Sequence, residues 1–458
     1  MKILKFGQST LQDTSSIALV LDIIVKNPKS VVVVSPLYKV STRLGKIGNL
    51  AMVGDNSYKP ILQDIEDEHF AIAKHFVDIK HQAKVIAGLK VMLNDLEEIL
   101  YGVYLLWELS PRTKDHIATY GVKLSAYLMA ECLKSKGADA HFYETQNVII
   151  TNDVYGQAEV YADISLANIR DKFAKNEGIS VITGSVGSTE KGESSNMGKS
   201  GSSYTSALFA NALNAASIEI YTDRDGILNT DPTLVDNAFS LKEISYAEVM
   251  EMSNFGNSFV YPPAIQPAIV KNIPITIKNL YNVGFEGTVI TNSNHNHHHV
   301  VKANSSVQNV SLINVQGSGM IGVAGVASRV FGTLAHENIS VVLITQASSE
   351  HSICLAVKPE NGTKAQLALQ KEFMEEIREK KMDNISLTKE LSIIAIIGEN
   401  MKQTPGIAGK IFQALGENQI NVVAIAQGSS EFNISVVVEM KVLAKTLNVL
   451  HKSLFGLK

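Results

Sequence analysis

Gly198-Lys199-Ser200-Gly201-Ser202-Ser203-Tyr204-Thr205 runs directly into Ser206-Ala207-Leu208-Phe209-Ala210-Asn211-Ala212-Leu213. A turn of small residues opens an Ala/Leu-rich helix. Gly and Ser let a backbone come close to a ligand, and the free N–H groups at a helix start carry partial positive charge. One lysine, Lys199, sits inside the turn. These are the parts of an anion or phosphate site. The same residues also suit an ordinary capped loop, so the rest of the chain has to decide between the two.

The chain has 458 residues, is 45% hydrophobic and 19% charged, and carries a net charge of −4. That composition describes a globular protein of about two to four domains. The charge gives no electrostatic reason for a nucleic acid or membrane partner, and neither is expected. Cys132 and Cys354 are the two cysteines and lie far apart, which suits a reducing compartment. Met1 to Gly7 is too short and lysine-broken for a signal peptide, and no apolar run reaches about 18 residues. The expected location is cytoplasmic.

Residues 1–290 read as an α/β domain. Ile3 to Phe6 predicts a strand, and Ser15 to Val25 has helical periodicity. Val31-Val32-Val33-Val34 is an unbroken apolar run, as in a parallel strand buried on both faces, and it ends at Ser35-Pro36. Residues 60–135 are mostly helical by pattern. Strands are expected at 140–143, 148–150, 180–184, 218–223 and 275–277, and a helix from Glu243 to Phe255. Loops after parallel strands are where open α/β sheets keep their ligands.

Residues 291–307 are polar and without period, and read as a linker. Its histidines, His295 and His297 to His299, have no Cys, Asp or Glu beside them to complete a metal site, so no metal is assigned. Beyond it lies an internal repeat: residues 325–357 align without gaps on 406–438, with fourteen of 33 positions identical. Shared positions include Gly325/Gly406, Phe331/Phe412, Gln346/Gln427 and Ser348-Ser349-Glu350 over Ser429-Ser430-Glu431. Each copy predicts strand, Gly turn, helix, strand, Gln-x-Ser-Ser-Glu turn, strand. Two such units could pair their sheets and build equivalent ligand pockets at the seam, with domains at 308–385 and 386–458.

With these segments in hand, the chain resembles the aspartokinase family over nearly its whole length. Lys5-Phe6-Gly7, Glu108 to Thr113, Thr222-Asp223-Arg224-Asp225-Gly226 with Asp231-Pro232, and Ser245-Tyr246-Ala247-Glu248 through Phe255-Gly256 all match family motifs. The repeat is similar to paired ACT regulatory domains, most like those of the bifunctional aspartokinase–homoserine dehydrogenases. No second G-x-G-x-x-G strand–turn–helix follows, so dehydrogenase activity is not expected.

The resemblance implies an amino-acid-kinase three-layer α/β sandwich with a mostly parallel central sheet, followed by tandem ACT-like domains. It implies attack of the aspartate β-carboxylate on the γ-phosphate of ATP with Mg²⁺. By motif position, Lys5 and Lys199 are the catalytic cations, and Ser35, Ser41, Ser202 and Ser203 face the substrate. Gly7, Thr222, Asp223 and Asp231 belong to the nucleotide site. Gln346 and Gln427 are assigned to an amino-acid effector, threonine or lysine. A homodimer or homotetramer is expected.

Several positions depart from the family pattern. Gln8 stands for the second glycine of the family's KFGG, and Val122 for the glutamate of its G-E pair. Lys199 and Ser203 replace an arginine and an aspartate, while Thr233 and Ser258 replace an arginine and a lysine. Three readings follow: an aspartate kinase regulated through the repeat, a non-catalytic amino-acid sensor or regulatory partner, and a kinase for a small acid lacking an α-ammonium.

Overall fold

A computed structural model describes residues 1–256, 261–292, 300–320, 322–346, 352–402 and 404–456. His295 and His297–His299, Asn257-Ser258 and Ser348 to Glu350 lie outside the described residues. The chain divides into two compact units. The first comprises Met1–Ile227, Lys242–Tyr246 and Val260–Ser293; the second comprises Leu228–Leu241, Ala247–Phe259 and Asn294–Lys458.

The first unit begins with β1 (Lys2–Phe6), α1 (Thr14–Val25) and β2 (Ser30–Val34). Four helices follow: α2 (Val40–Met52), α3 (Tyr58–Phe76), α4 (Ile79–Leu106) and α5 (Pro111–Ser135). Next come β3 (Ala140–Tyr143), β4 (Ile150–Thr151), α6 (Ala162–Phe173), β5 (Ile179–Thr183), β6 (Val186–Thr189) and β7 (Ser194–Asn196). It is completed by α7 (Gly201–Ala212), β8 (Ser217–Thr222), β9 (Glu243–Ser245), α9 (Pro262–Val270), β10 (Ile275–Asn279) and β11 (Thr288–Thr291), while α8 (Tyr246–Asn254), which follows β9, belongs to the second unit from Ala247 onward. Eight strands form the central sheet in the order β3-β5-β2-β1-β8-β10-β11-β9. All neighbours are parallel except β10 and β11.

Every residue of β2 is buried. Its alternation sends Val32 and Val34 into a core with Leu4, Phe6 and the inner faces of α1 to α5. Helix α7 packs on β1, β2 and β8, so helices flank the sheet on both sides and the three-layer sandwich is formed. Helix α1 starts on Asp13, whose carboxylate accepts from the Ser16 N–H at 2.8 Å in a capping box.

Two predicted elements differ. Of 148–150, only Ile150 is in a strand, because Thr145 folds the preceding residues into a turn: its Oγ1 donates to the Val186 carbonyl at 2.8 Å and its N–H to Thr183 Oγ1 at 2.9 Å. Glu243 to Ser245, predicted as helix, pair in parallel with Val289 to Thr291 as the last strand of the sheet. The helix starts only at Tyr246.

The second unit holds β12 (Ala303–Gln316), α10 (Val326–His336), β13 (Val341–Gln346), β14 (Ser352–Val357), α11 (Pro359–Glu372) and α12 (Met374–Arg378). The second copy gives β15 (Ser386–Ile397), α13 (Ile407–Glu417), β16 (Ala424–Gln427), β17 (Asn433–Glu439) and α14 (Leu443–Phe455). Residues 303–307, read as linker, are the first part of β12. One antiparallel sheet runs β13-β14-β12-β15-β17-β16. The copies therefore join through their long strands, within one chain, from Ala303↔Ile397 to Asn314↔Ser386. The register slips around Val310, beside the left-handed residues Asn309 and Glu390. On either side of that bulge lies a separate core, one around Val330 and Phe373, the other around Ile411 and Leu447.

Candidate active site

Strands β5, β2 and β1 are neighbours, and the residues after each of them line one cavity of about 790 Å³. Gln8 follows β1, Ser35 and Pro36 follow β2, and Gly184 and Ser185 follow β5. Ser41 joins from α2. The turn that opens α7 supplies Gly198 to Ser202. The predicted residues Ser35, Ser41, Lys199 and Ser202 thus meet in one place. Ser203, assigned to the substrate, is not among the lining residues; it is half-buried in the first turn of α7.

The α7 turn is not a side-chain-capped loop. Ser200 precedes the helix with φ 63° and makes no side-chain cap, while its carbonyl accepts the N–H groups of Ser203 and Tyr204. Ser185, across the cavity, also has positive φ, at 76°. Non-glycine residues in this region carry backbone strain, which collects at functional sites. Gly184 allows the two loops to meet: a Cβ there would lie 2.8 Å from Ser202 Cβ and 2.9 Å from the Val34 carbonyl oxygen. Ser35 Oγ in turn reaches Ser202 Oγ at 3.4 Å.

Lys5 lies on β1 between Val33 and Ile220, two residues before Gly7. Burial of its ammonium pulls its pKa down to about 8. Gln8, in place of a glycine, turns its amide aside and donates to Ser41 Oγ at 3.1 Å. Thr222 ends β8, the strand on the other side of β1, and Asp223 follows it. The loop there is tied to the end of β10, since Asp225 accepts from the side-chain amides of Asn279 at 2.8 Å and Asn282 at 3.1 Å. Asp231 belongs to the second unit, where its Oδ1 accepts from the N–H and hydroxyl of Thr233 at 2.9 and 2.7 Å.

Helix α5 forms a further wall. Ser110 caps it by accepting the Thr113 N–H, with Pro111 in its first turn. Pro111, Lys114, Asp115, Ala118 and Val122 line the cavity at spacings of three, one, three and four, which is one face of a helix. Lys114, Asp115, Tyr155 and Asn196 were missed in the sequence. For Lys114 and Asp115 the signal was there, as positions two turns before Val122 on its own face. Tyr155 comes from a loop and Asn196 from the end of the three-residue strand β7, neither long enough to show periodicity.

Asp115 Oδ2 accepts the backbone N–H groups of Gly156 at 2.8 Å and Asn196 at 2.9 Å, fastening both segments to α5. Burial raises its carboxyl pKa, and these two N–H groups oppose the rise. Tyr155 donates to Glu193 Oε2 at 2.6 Å, which pushes the phenol up to about 12, and Arg112 donates to Glu193 Oε1 at 2.8 Å. Among the described residues no group of three or more His, Cys, Asp or Glu could hold a metal ion.

In the second unit, Gln427 lines a cavity of about 280 Å³ with Thr404, Gly406 and Glu431, between the end of β16 and the start of α13. It lies beside the end of β16, an end strand of the sheet that is also in contact with β13 of the first copy. Gln346 ends β13, and the residues that follow it lie outside the described ones. The neighbouring Thr345 Oγ1 donates to the Ile425 carbonyl at 2.8 Å.

Residues 1–279 match the amino acid kinase family, and residues 313–373 and 394–454 match the ACT domain. The chain is similar to a chloroplastic bifunctional aspartokinase/homoserine dehydrogenase 1 of Zea mays, 31% identical over 98% of this chain and 50% of that one. It thus spans about half the length of that relative. It is 30% identical to an aspartokinase of Schizosaccharomyces pombe, over 87% of this chain and 80% of that protein. Among solved structures it resembles E. coli aspartokinase III in complex with aspartate and ADP, with a TM-score of 0.81 and 26% identity over 100% of both chains. A second structure of that protein, in complex with lysine and aspartate, superposes with a TM-score of 0.79 over the same span. No described helix is long and apolar enough to cross a membrane. With the sandwich, the paired repeat and the likeness along nearly the whole chain all in agreement, this protein belongs to the aspartokinase family.

Proposed function

We propose that this chain is an aspartate kinase that transfers the γ-phosphoryl group of ATP to the β-carboxylate of aspartate, under control of an amino acid bound to the repeat. The carrying observation is the cavity at the ends of β5, β2 and β1, which gathers Lys199, Ser35, Ser41, Ser202 and the start of α7. An anionic nucleophile approaching an anionic phosphate needs fixed positive charge and oriented N–H groups. Lys5 supplies charge to the phosphoryl group beside Gly7, Lys199 holds a substrate carboxylate, and Ser35, Ser41 and Ser202 orient the acid. Thr222 and Asp223 serve the nucleotide. Mg²⁺ bound with ATP would neutralise phosphate charge.

The complex of a relative with aspartate and ADP favours this reading over a non-catalytic sensor or a kinase for another acid. Purified chain, ATP, Mg²⁺, aspartate and hydroxylamine test it: the acyl phosphate is trapped as a hydroxamate. No hydroxamate at high enzyme concentration sinks the proposal.

The effector is an amino acid, threonine or lysine, received by Gln427 and Gln346. A relative binds lysine, and Gln427 faces a cavity of suitable size. Binding should raise the melting temperature, and Gln427→Ala should abolish the rise. No shift with either amino acid counts against it. We further propose a homodimer or homotetramer in the cytoplasm, the former checked by analytical ultracentrifugation. Two cysteines far apart in sequence, Cys132 and Cys354, suit that reading.

A further inference from the structure

We infer that Asp115 receives the α-ammonium group of the substrate and so makes the site selective for an amino acid over the matching plain diacid. The inference rests on the aspartate kinase reading. Asp115 is the one acid among the described residues lining the cavity. Both of its hydrogen bonds, from Gly156 and Asn196, fall on Oδ2, which leaves Oδ1 of this cavity-lining carboxylate for a ligand. Glu193, nearby, is no rival, because both its oxygens are occupied by Arg112 and Tyr155.

Position couples this acid to Lys199. The Asn196 N–H is bound to Asp115, and Asn196 Oδ1 accepts the Gly198 N–H at 2.8 Å, one residue before Lys199. A carboxylate and an ammonium are thereby presented from one small loop system. An α-amino acid carries the complementary pair on a single carbon, with its carboxylate towards Lys199 and its ammonium towards Asp115. Val122, on the same face of α5, offers the ammonium nothing. Asp115 also fastens two segments, so a purely structural role has to be separated from this one.

The test compares L-aspartate with succinate, the same diacid without the ammonium, by calorimetric titration of the full chain in the presence of Mg-ADP. Wild type should bind aspartate at least about tenfold more tightly, since hydrogen bonds to charged groups have that order of effect. Asp115→Asn keeps an oxygen for the two N–H groups. It should weaken aspartate by about 10- to 100-fold, leave succinate within about threefold and erase the preference. If the variant weakens both ligands equally, or neither, the inference is overturned. If it does not fold, wild type alone decides: succinate binding as tightly as aspartate overturns the inference while leaving the kinase reading to the hydroxamate assay. Wild type that binds neither diacid and makes no hydroxamate overturns both.

Discussion

A Cβ placed on Gly7 would stand 3.3 Å from Lys5 Nζ, so the backbone at residue 7 is kept bare beside a buried ammonium. Ala at position 7 would press on that ammonium and shift it. Gly7→Ala is expected to lower kcat by about tenfold, with a small change in melting temperature. Lys5→Met should cost about 10²–10³ in kcat, as loss of one charge-stabilising group does. Steady-state rates for both variants check this; full activity in Lys5→Met removes the lysine from the mechanism.

The same lysine sets a pH dependence. Its pKa in the folded chain is about 8, against 10.5 for an ordinary lysine. Between these values the unfolded chain holds a proton that the folded chain has released. The contribution of Lys5 to stability therefore rises with pH across that window, and its burial costs stability below it. Lys5→Met should accordingly melt higher than wild type at about pH 7. A nucleotide phosphate placed beside Lys5 favours the charged form, so ATP binding above about pH 8 should take up a proton. Calorimetry in two buffers of different ionisation enthalpy reads this directly, and equal heats in both would contradict it.

Gly184 joins the end of β5 to the start of α7 with no room to spare. Gly184→Ala would push against Ser202 Cβ and the Val34 carbonyl, the latter fixed in the sheet. We expect a loss of about 1–3 kcal/mol in denaturant titration and a raised KM for aspartate, because Ser202 must move. Unchanged stability would show that α7 can slide on the sheet.

The two copies of the repeat share strands. The early part of β15, Ser386 to Leu391, pairs with Val310 to Asn314, and the early part of β12 pairs with Ile393 to Ile397. Neither copy has its full sheet alone. A chain ending at residue 385 should leave the first copy without its neighbour on β12, and its melting transition should vanish. An independent transition in that truncated chain would show the copies to be separable.

Much of this was legible in order along the chain. Val31 to Val34 announced a parallel strand buried on both faces, because a sheet covered by helices has no polar face to write into its pattern. The 81-residue repeat announced a duplicated module, because each copy must pack the same helix on the same strands. The turn before α7, with its small residues and Lys199, announced a loop close to a cavity, and it lines one. Other features had no local signature. Glu243 to Ser245 became a strand because Val289 to Thr291 offered an open edge, a partner more than forty residues away. Residues 303–307 left the linker for β12 because Ile393 to Ile397 paired with them. Asp115 looked like one charge among several on a long helix, and only the loop bearing Gly156 and the end of β7 at Asn196, folding back onto α5, turned it into the acid of the cavity. Periodicity records which face of an element is buried. What is buried against it, and which charge is left facing a ligand, depends on distant backbone, and that was decided by the tertiary structure.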